Sequence, residues 1–184
     1  MKNIVIAGGN KPLLMAYEYL SVRFKIIGFI LDDKKYSLSA LDDKIKTEKI
    51  KIYNWYDINE LSIDCIFVIN YSKIIDLKKI HNIFIINLHI GILPKYRGIN
   101  ANAWAILNDE KYVGYTIHEI NSELDGGDIF YTFHYEIKPG ETYHHAKIAI
   151  NFDIKSNLSK VLYSILLKKV KRVSPHLSKF VYWF

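Results

Sequence analysis

Short apolar runs alternate with helical patterns through the first hundred residues. Residues 3–7 are mostly apolar and lead into Gly8-Gly9, after which Asn10 as N-cap and Pro12 in the first turn open a predicted helix over 11–20. Residues 25–31 form a second strand candidate, ended by polar Asp32-Asp33-Lys34-Lys35. Residues 37–49 are polar and read as loop before a short strand at 51–53. The runs at 65–69 and 83–88 are apolar but for Asn87, the mark of strands covered on both faces of a parallel sheet, with a short helix predicted at 76–80 between them. These are βαβ units, so the predicted fold class is α/β, a Rossmann-like open sheet, mostly parallel.

After residue 100 the pattern changes. A short helix is predicted at 101–107, and two longer β-rich runs, 112–120 and 129–137, predict an antiparallel addition to the sheet. From Thr142, a predicted N-cap, Ala146, Ile150, Ile154, Leu158, Leu162 and Leu166 recur every four residues along a long amphipathic helix. Residues 151–153 are a candidate break in that helix, and Pro175 is its expected stop. The chain is therefore divided into a domain over 1–170 and an aromatic tail over 171–184. Four large rings in five residues (Phe180, Tyr182, Trp183 and Phe184) predict that the tail packs against the body or against a second copy in a homodimer.

Composition narrows the class. A chain of 184 residues, half of them hydrophobic, suits one ordered domain with a single core. Cys65 is the only cysteine and lies in an apolar run, so it is expected to be a buried, inert thiol. The opening residues do not resemble a signal peptide, and no apolar stretch reaches the ~18 residues of a membrane span. A soluble, cytoplasmic protein without a membrane partner is expected. The net charge of +6 favours an anionic small molecule. Its densest group, Lys168, Lys169, Lys171 and Arg172, sits where cations complement a helix dipole, so nucleic acid is not an expected partner. The histidines show no metal-ligand spacing, no metal is expected, and His144-His145 reads as a solvated first helical turn.

Two segments could carry chemistry. In open α/β sheets sites form at the carboxyl ends of strands. Asn87-Leu88-His89 ends an apolar run, and strand alternation puts Asn87 and His89 on one face, ahead of the turn-rich sequence from Gly91 to Gly98. Further on, Leu124-Asp125-Gly126-Gly127-Asp128 lies between the two β-rich runs, where glycines beside an acid allow a tight turn. Taken singly, each segment is also compatible with plain turn chemistry.

Taken together they resemble the formyltransferase family. The quoted residues are Asn87-Leu88-His89-Ile90-Gly91-Ile92-Leu93-Pro94-Lys95-Tyr96-Arg97-Gly98 and Leu124-Asp125-Gly126-Gly127-Asp128, with Asn70–Ile75, Trp104-Ala105-Ile106 and Gly114–His118 in family order. The likeness covers residues 1 to 170, the expected catalytic domain, and is nearest in motif to nucleotide amino-sugar N-formyltransferases. It implies 10-formyltetrahydrofolate as formyl donor and Asn87, His89 and Asp125 as catalytic residues. It also implies a pterin pocket at Lys73, Ile74, Ile75, Leu124 and Asp125, and substrate contacts at Gly91, Arg97 and Trp104. The residue types suit the chemistry. An amine attacking a formyl carbonyl makes an oxyanion, which an Asn side-chain N–H can stabilise. A histidine then moves or holds charge, and an aspartate orients it and helps accept the amine's proton.

Departures from the family pattern bear on the acceptor. Gly91 replaces a serine common in relatives. Gly8-Gly9-Asn10-Lys11 lacks the pattern with which glycinamide ribonucleotide formyltransferases grip phosphate, and it is no dinucleotide fingerprint. The methionyl-tRNA and amino-sugar branches carry a further C-terminal domain, whereas this sequence stops at Phe184. By subtraction the expected acceptor is a nucleotide-linked amino deoxysugar used for surface polysaccharide. The alternatives are glycinamide ribonucleotide, hydrolysis of the formyl-folate, and a catalytically silent folate-binding module.

Overall fold

The computed structural model describes residues 1–32, 39–175 and 181–183. It divides into two compact units, Met1–Asn87 and Leu88–Phe184.

The first unit contains β1 (Asn3–Gly8), α1 (Asn10–Leu20), β2 (Lys25–Leu31), α2 (Ser39–Thr47), β3 (Cys65–Ile69) and the start of β4 (Ile85–His89), with single 3-10 turns at Asp57–Glu60 and Leu77–Lys79. Its strands lie in the order β2-β1-β3-β4. β1 pairs in parallel with both neighbours, Ile6 standing opposite Phe29 and Phe67. The continuous apolar runs are explained by cover on both faces, since Ile4 to Ala7 and Cys65 to Phe67 are fully buried. Burial also pushes the Cys65 thiol up, well away from the thiolate, which fits an inert core residue.

Three expectations for this unit are corrected. Residues 39–47 are helix, not loop. α2 offers Leu41 to the core, is reinforced by a Lys44–Glu48 ion pair one turn apart, and is tied to α1 by the Tyr17 hydroxyl on Glu48. That hydroxyl contact is tertiary, so a charge-rich sequence with few apolar positions did not announce it. The strand predicted at 51–53 is a single bridge between Ile52 and Phe29. The N-cap of α1 is Gly9, with no side-chain cap bond from Asn10 or any other residue. The predicted polar turn at 33–35 lies outside the described residues.

The second unit contains the end of β4, then β5 (Tyr96–Gly98), α3 (Ala101–Leu107), β6 (Tyr112–Glu119), β7 (Ile129–Glu136), α4 (Tyr143–Leu166) and β8 (Val181–Trp183). β6 and β7 are antiparallel, with Tyr115 opposite Phe133. Val113, Tyr115 and Ile117 alternate onto one face of β6, and α4 packs on β6 and β7 with Ala146, Ile150, Ile154, Leu158, Leu162 and Ile165 buried. Thr142 is the N-cap, as expected, and forms a capping box with His145.

The predicted break at 151–153 does not occur. Asp153 is tolerated mid-helix because its carboxylate accepts the Tyr115 hydroxyl at 2.7 Å and the Asn157 amide at 2.7 Å. The helix also ends at Leu166, before Pro175, where Lys168 turns left-handed (φ 55°). Of the tail, Val181–Trp183 is described and pairs in parallel with β5, while Phe180 and Phe184 lie outside the described residues. The strands make the expected α/β fold, parallel in the first unit, with the antiparallel pair β6-β7 and the two-stranded β5-β8 in the second. No described helix is long and apolar enough to cross a membrane.

Candidate active site

β4 ends at His89, whose side chain is buried. Its Nε2 lies 2.7 Å from the Tyr96 carbonyl oxygen. A carbonyl can only accept, so Nε2 carries the hydrogen and Nδ1 is left facing the Asp125 carboxylate at 3.4 Å. Asp125 adopts a left-handed backbone (φ 45°) and accepts the Gly98 N–H at 2.8 Å. Its second oxygen lies 3.4 Å from Nε2 of His118, and the other ring nitrogen of His118 donates to the Glu119 carbonyl at 2.8 Å. β6 shifts register between Ile117 and His118, a bulge of the kind that re-aims a side chain next to a site.

One carboxylate is thus held between two imidazoles, each with its other nitrogen committed to a backbone carbonyl. A ring with hydrogens on both nitrogens can donate to its carbonyl and to Asp125 at once, so the carboxylate draws a proton onto either facing nitrogen. Burial raises the Asp125 pKa. The His118 hydrogen bond, the His89 charge and the Gly98 N–H outweigh it and bring the carboxyl down to about 2. Burial works the other way on His89, lowering its pKa despite Asp125 and the Tyr96 carbonyl, which pull it up. The result is a permanent anion beside an imidazole that gives up its proton readily. That pairing suits proton transfer at a reacting amine.

The surroundings explain the local sequence. A Cβ on Gly127 would stand 1.8 Å from the Glu119 carbonyl oxygen, so only glycine lets the Asp125 loop close on the end of β6. The turn after His89 is held by Thr116, whose hydroxyl donates to the Gly91 carbonyl at 2.7 Å and accepts the Leu93 N–H at 3.1 Å.

Gly91 is buried, and a side chain there would meet Ala101 Cβ at 2.4 Å and His89 Nε2 at 2.6 Å. The departure from the family serine therefore has a physical reason in this chain. Arg97, expected on the substrate side, is placed inward by the structure. Its side chain is 1 % exposed, and its guanidinium lies 3.4 Å from both the Glu123 carboxylate and the Leu124 carbonyl, bracing the Asp125 loop from inside.

Asn87 is half-buried on the same strand face as His89. Lys73 and Ile74 are exposed and Ile75 half-buried beyond β3, where the Ser72 N–H and hydroxyl are fixed on the Asp32 carboxylate. Leu124 is exposed, and Trp104 is half-buried on α3. Sequence reasoning did not assign a role to His118. A histidine inside a β-rich run reads as core, and only the fold brings it onto Asp125. Among the described residues no cluster of His, Cys, Asp or Glu is placed to hold a metal ion.

Comparison with known proteins gives the family. The model of the formyl transferase family matches residues 32–162, and the chain belongs to that family. It is 29% identical over 94% of its length to the bifunctional polymyxin resistance protein ArnA of Wigglesworthia glossinidia brevipalpis, covering 29% of that protein. It is 40% identical over 70% of its length to the methionyl-tRNA formyltransferase of Buchnera aphidicola subsp. Baizongia pistaciae, covering 46% of it. The chain thus spans less than half the length of these curated relatives.

Among solved structures, the sugar 3N-formyltransferase WlaRD superposes with a TM-score of 0.83 at 21% identity, over all of this chain and 69% of that one. The phosphoribosylglycinamide formyltransferase of Anaplasma phagocytophilum gives 0.76 at 18% identity, over all of this chain and 99% of that one. At these identities the structures establish the shared fold.

Proposed function

We propose that this protein transfers the formyl group of 10-formyltetrahydrofolate to the amine of a nucleotide-linked amino deoxysugar. The observation that carries the reaction type is the Asp125 carboxylate held against the buried His89 ring at the end of β4, two residues after Asn87 on the same strand face. In this reading the Asn87 amide donates to the oxyanion formed when the amine adds to the formyl carbon. His89 stabilises that charge and takes part in moving the amine's proton. Asp125, ionised throughout the working range, orients the ring and supports its protonated form. The donor is inferred from the family, with Lys73 to Ile75 and, separately, Leu124 and Asp125 as the residues assigned to the pterin. Gly91, Arg97 and Trp104 remain assigned to the acceptor side.

The sugar acceptor is supported by the WlaRD superposition, a structure determined with dTDP and 5-N-formyl-THF. Glycinamide ribonucleotide is the second reading, because the Anaplasma structure is almost wholly covered by this chain. A formyl-transfer assay offers amino-sugar nucleotides and glycinamide ribonucleotide side by side while formate release is followed. Transfer to the sugar supports the proposal, transfer to the ribonucleotide replaces the acceptor, and formate alone makes the protein a hydrolase. Bound folate without turnover on any amine refutes the enzyme reading.

A further inference from the structure

The strand that holds both His89 and Asp125 is short. β5 offers the Tyr96 carbonyl to His89 and the Gly98 N–H to Asp125, so its position sets the separation of the two side chains. Its only strand partner among the described residues is β8, the parallel segment Val181–Trp183. A three-residue strand with one neighbour has little stiffness of its own.

The same stretch of chain grips the Asp125 loop before it reaches β5. The loop is closed at its base by the Glu119 N–H on the Asp128 carbonyl at 2.8 Å. Arg172 lies 3.1 Å from the Glu119 carboxylate, with its guanidinium 5.5 Å from the centre of the Phe130 ring. Val173 exchanges two backbone hydrogen bonds of 2.9 Å with Ile129. Ser174 donates to the Asp128 carboxylate at 3.2 Å. Three successive residues thus clasp the two ends of the loop, and the chain then backs the strand on which that loop's aspartate is anchored. Glu119 is also the residue whose carbonyl fixes the His118 ring.

The geometry points to a catalytic strap. The segment following α4 positions the His89–Asp125 pair by fastening the Asp125 loop at Arg172–Ser174 and β5 at Val181–Trp183. It rests on the reading of His89 and Asp125 as the reacting pair. Its residues touch no reacting atom in this account and act as positioning residues. Misplacing catalytic groups by about 1 Å can cost on the order of 10²-fold in rate, so a strap of this kind acts on kcat more than on substrate binding.

The test compares the full chain with a form ending at Pro175, which keeps the Arg172–Ser174 clasp and all of α4 but loses β8, and with the double variant Arg172→Ala/Ser174→Ala. Three quantities are read: kcat and KM for formyl transfer, the imidazole proton shifts of His89 and His118 against pH, and the melting temperature. The expected result for the shortened form is a loss in kcat of about tenfold or more, KM changed by less than about twofold, and altered His89 titration. A peptide of residues 176–184 added in trans restores both, and a scrambled peptide does not. Arg172→Lys in place of Arg172→Ala recovers part of the loss.

Unchanged kcat and unchanged His89 titration in both variants overturn the strap, as does a kcat loss that follows the melting temperature while the titration stays put. If the shortened form does not fold, the double variant decides by the same criteria. The histidine titration needs no activity, so it still judges the strap if Asp125→Asn shows that the pair is not the reacting one.

Discussion

Asp125→Asn is the most informative single substitution, because the side chain's size is kept and only its charge is removed. In the protein the Asp125 carboxyl titrates at about 2 against 3.8 ordinarily, so its ionised form is favoured on folding by about 2 kcal/mol. The side chain is only 12% exposed, so solvent screening takes little from this figure. The folded pKa is depressed. The stabilisation is therefore complete above pH ~4 and is lost as pH falls toward 2. The amide can still accept the Gly98 N–H and can donate to one lone-pair nitrogen of the facing imidazoles, which offsets part of the loss. Folding at neutral pH is expected to weaken by about 1–2 kcal/mol, and the acid limb of stability between pH 4 and 2 is expected to flatten.

The kinetic effect should be larger. Without its anion, a protonated His89 has no counter-charge, and turnover is expected to fall ~10²-fold or more while KM for the folate changes little. Urea melts from pH 2.5 to 7 and kcat against pH provide the two readouts. Wild-type turnover with a wild-type pH profile would refute the assignment of Asp125. An unchanged acid limb would refute the electrostatic account of its surroundings.

Three further outcomes follow from the same geometry. Asn87→Ala should lower kcat by ~10²–10³ with folate affinity nearly intact, read by stopped assay and fluorescence titration, because an oxyanion donor acts on the transition state. Gly91→Ser should drive its Cβ into Ala101 and the His89 ring, lowering activity and stability by about 1–3 kcal/mol in melts. Adding Ala101→Gly should recover part of both, and a neutral single variant would refute the packing argument. His118→Asn should raise the Asp125 pKa toward its ordinary value, since the His118 hydrogen bond does most to hold it down. A carboxyl carbon titration by NMR checks the shift, and no movement would show that His89 alone holds the charge.

Much of the fold was legible because it depends on local regularity. The apolar runs at 65–69 and 83–88 predicted strands with both faces covered, realised at 65–69 and 85–89, and the spacing of four from Ala146 to Leu166 predicted a helix buried on one side, with Ile165 in place of Leu166 as its last buried residue. Asn87, His89 and Asp125 were singled out by the resemblance of their segments to a family pattern, since a strand-end Asn and His, and an acid before Gly126-Gly127, are each compatible with plain turn chemistry. The helix at 39–47 was not legible, since its support comes from Tyr17, distant in sequence. Nor was the unbroken α4, because the partner that makes Asp153 acceptable is Tyr115 on another strand. That Arg97 also braces the Asp125 loop from inside was not legible, since its contacts with Glu123 and Leu124 are tertiary. His118 and the Arg172–Ser174 clasp acquire meaning only once β6, β7 and the segment after α4 are brought together. Periodicity reports how each element divides its faces between core and solvent. Which carboxylate meets which imidazole is decided by long-range contacts that no local pattern encodes.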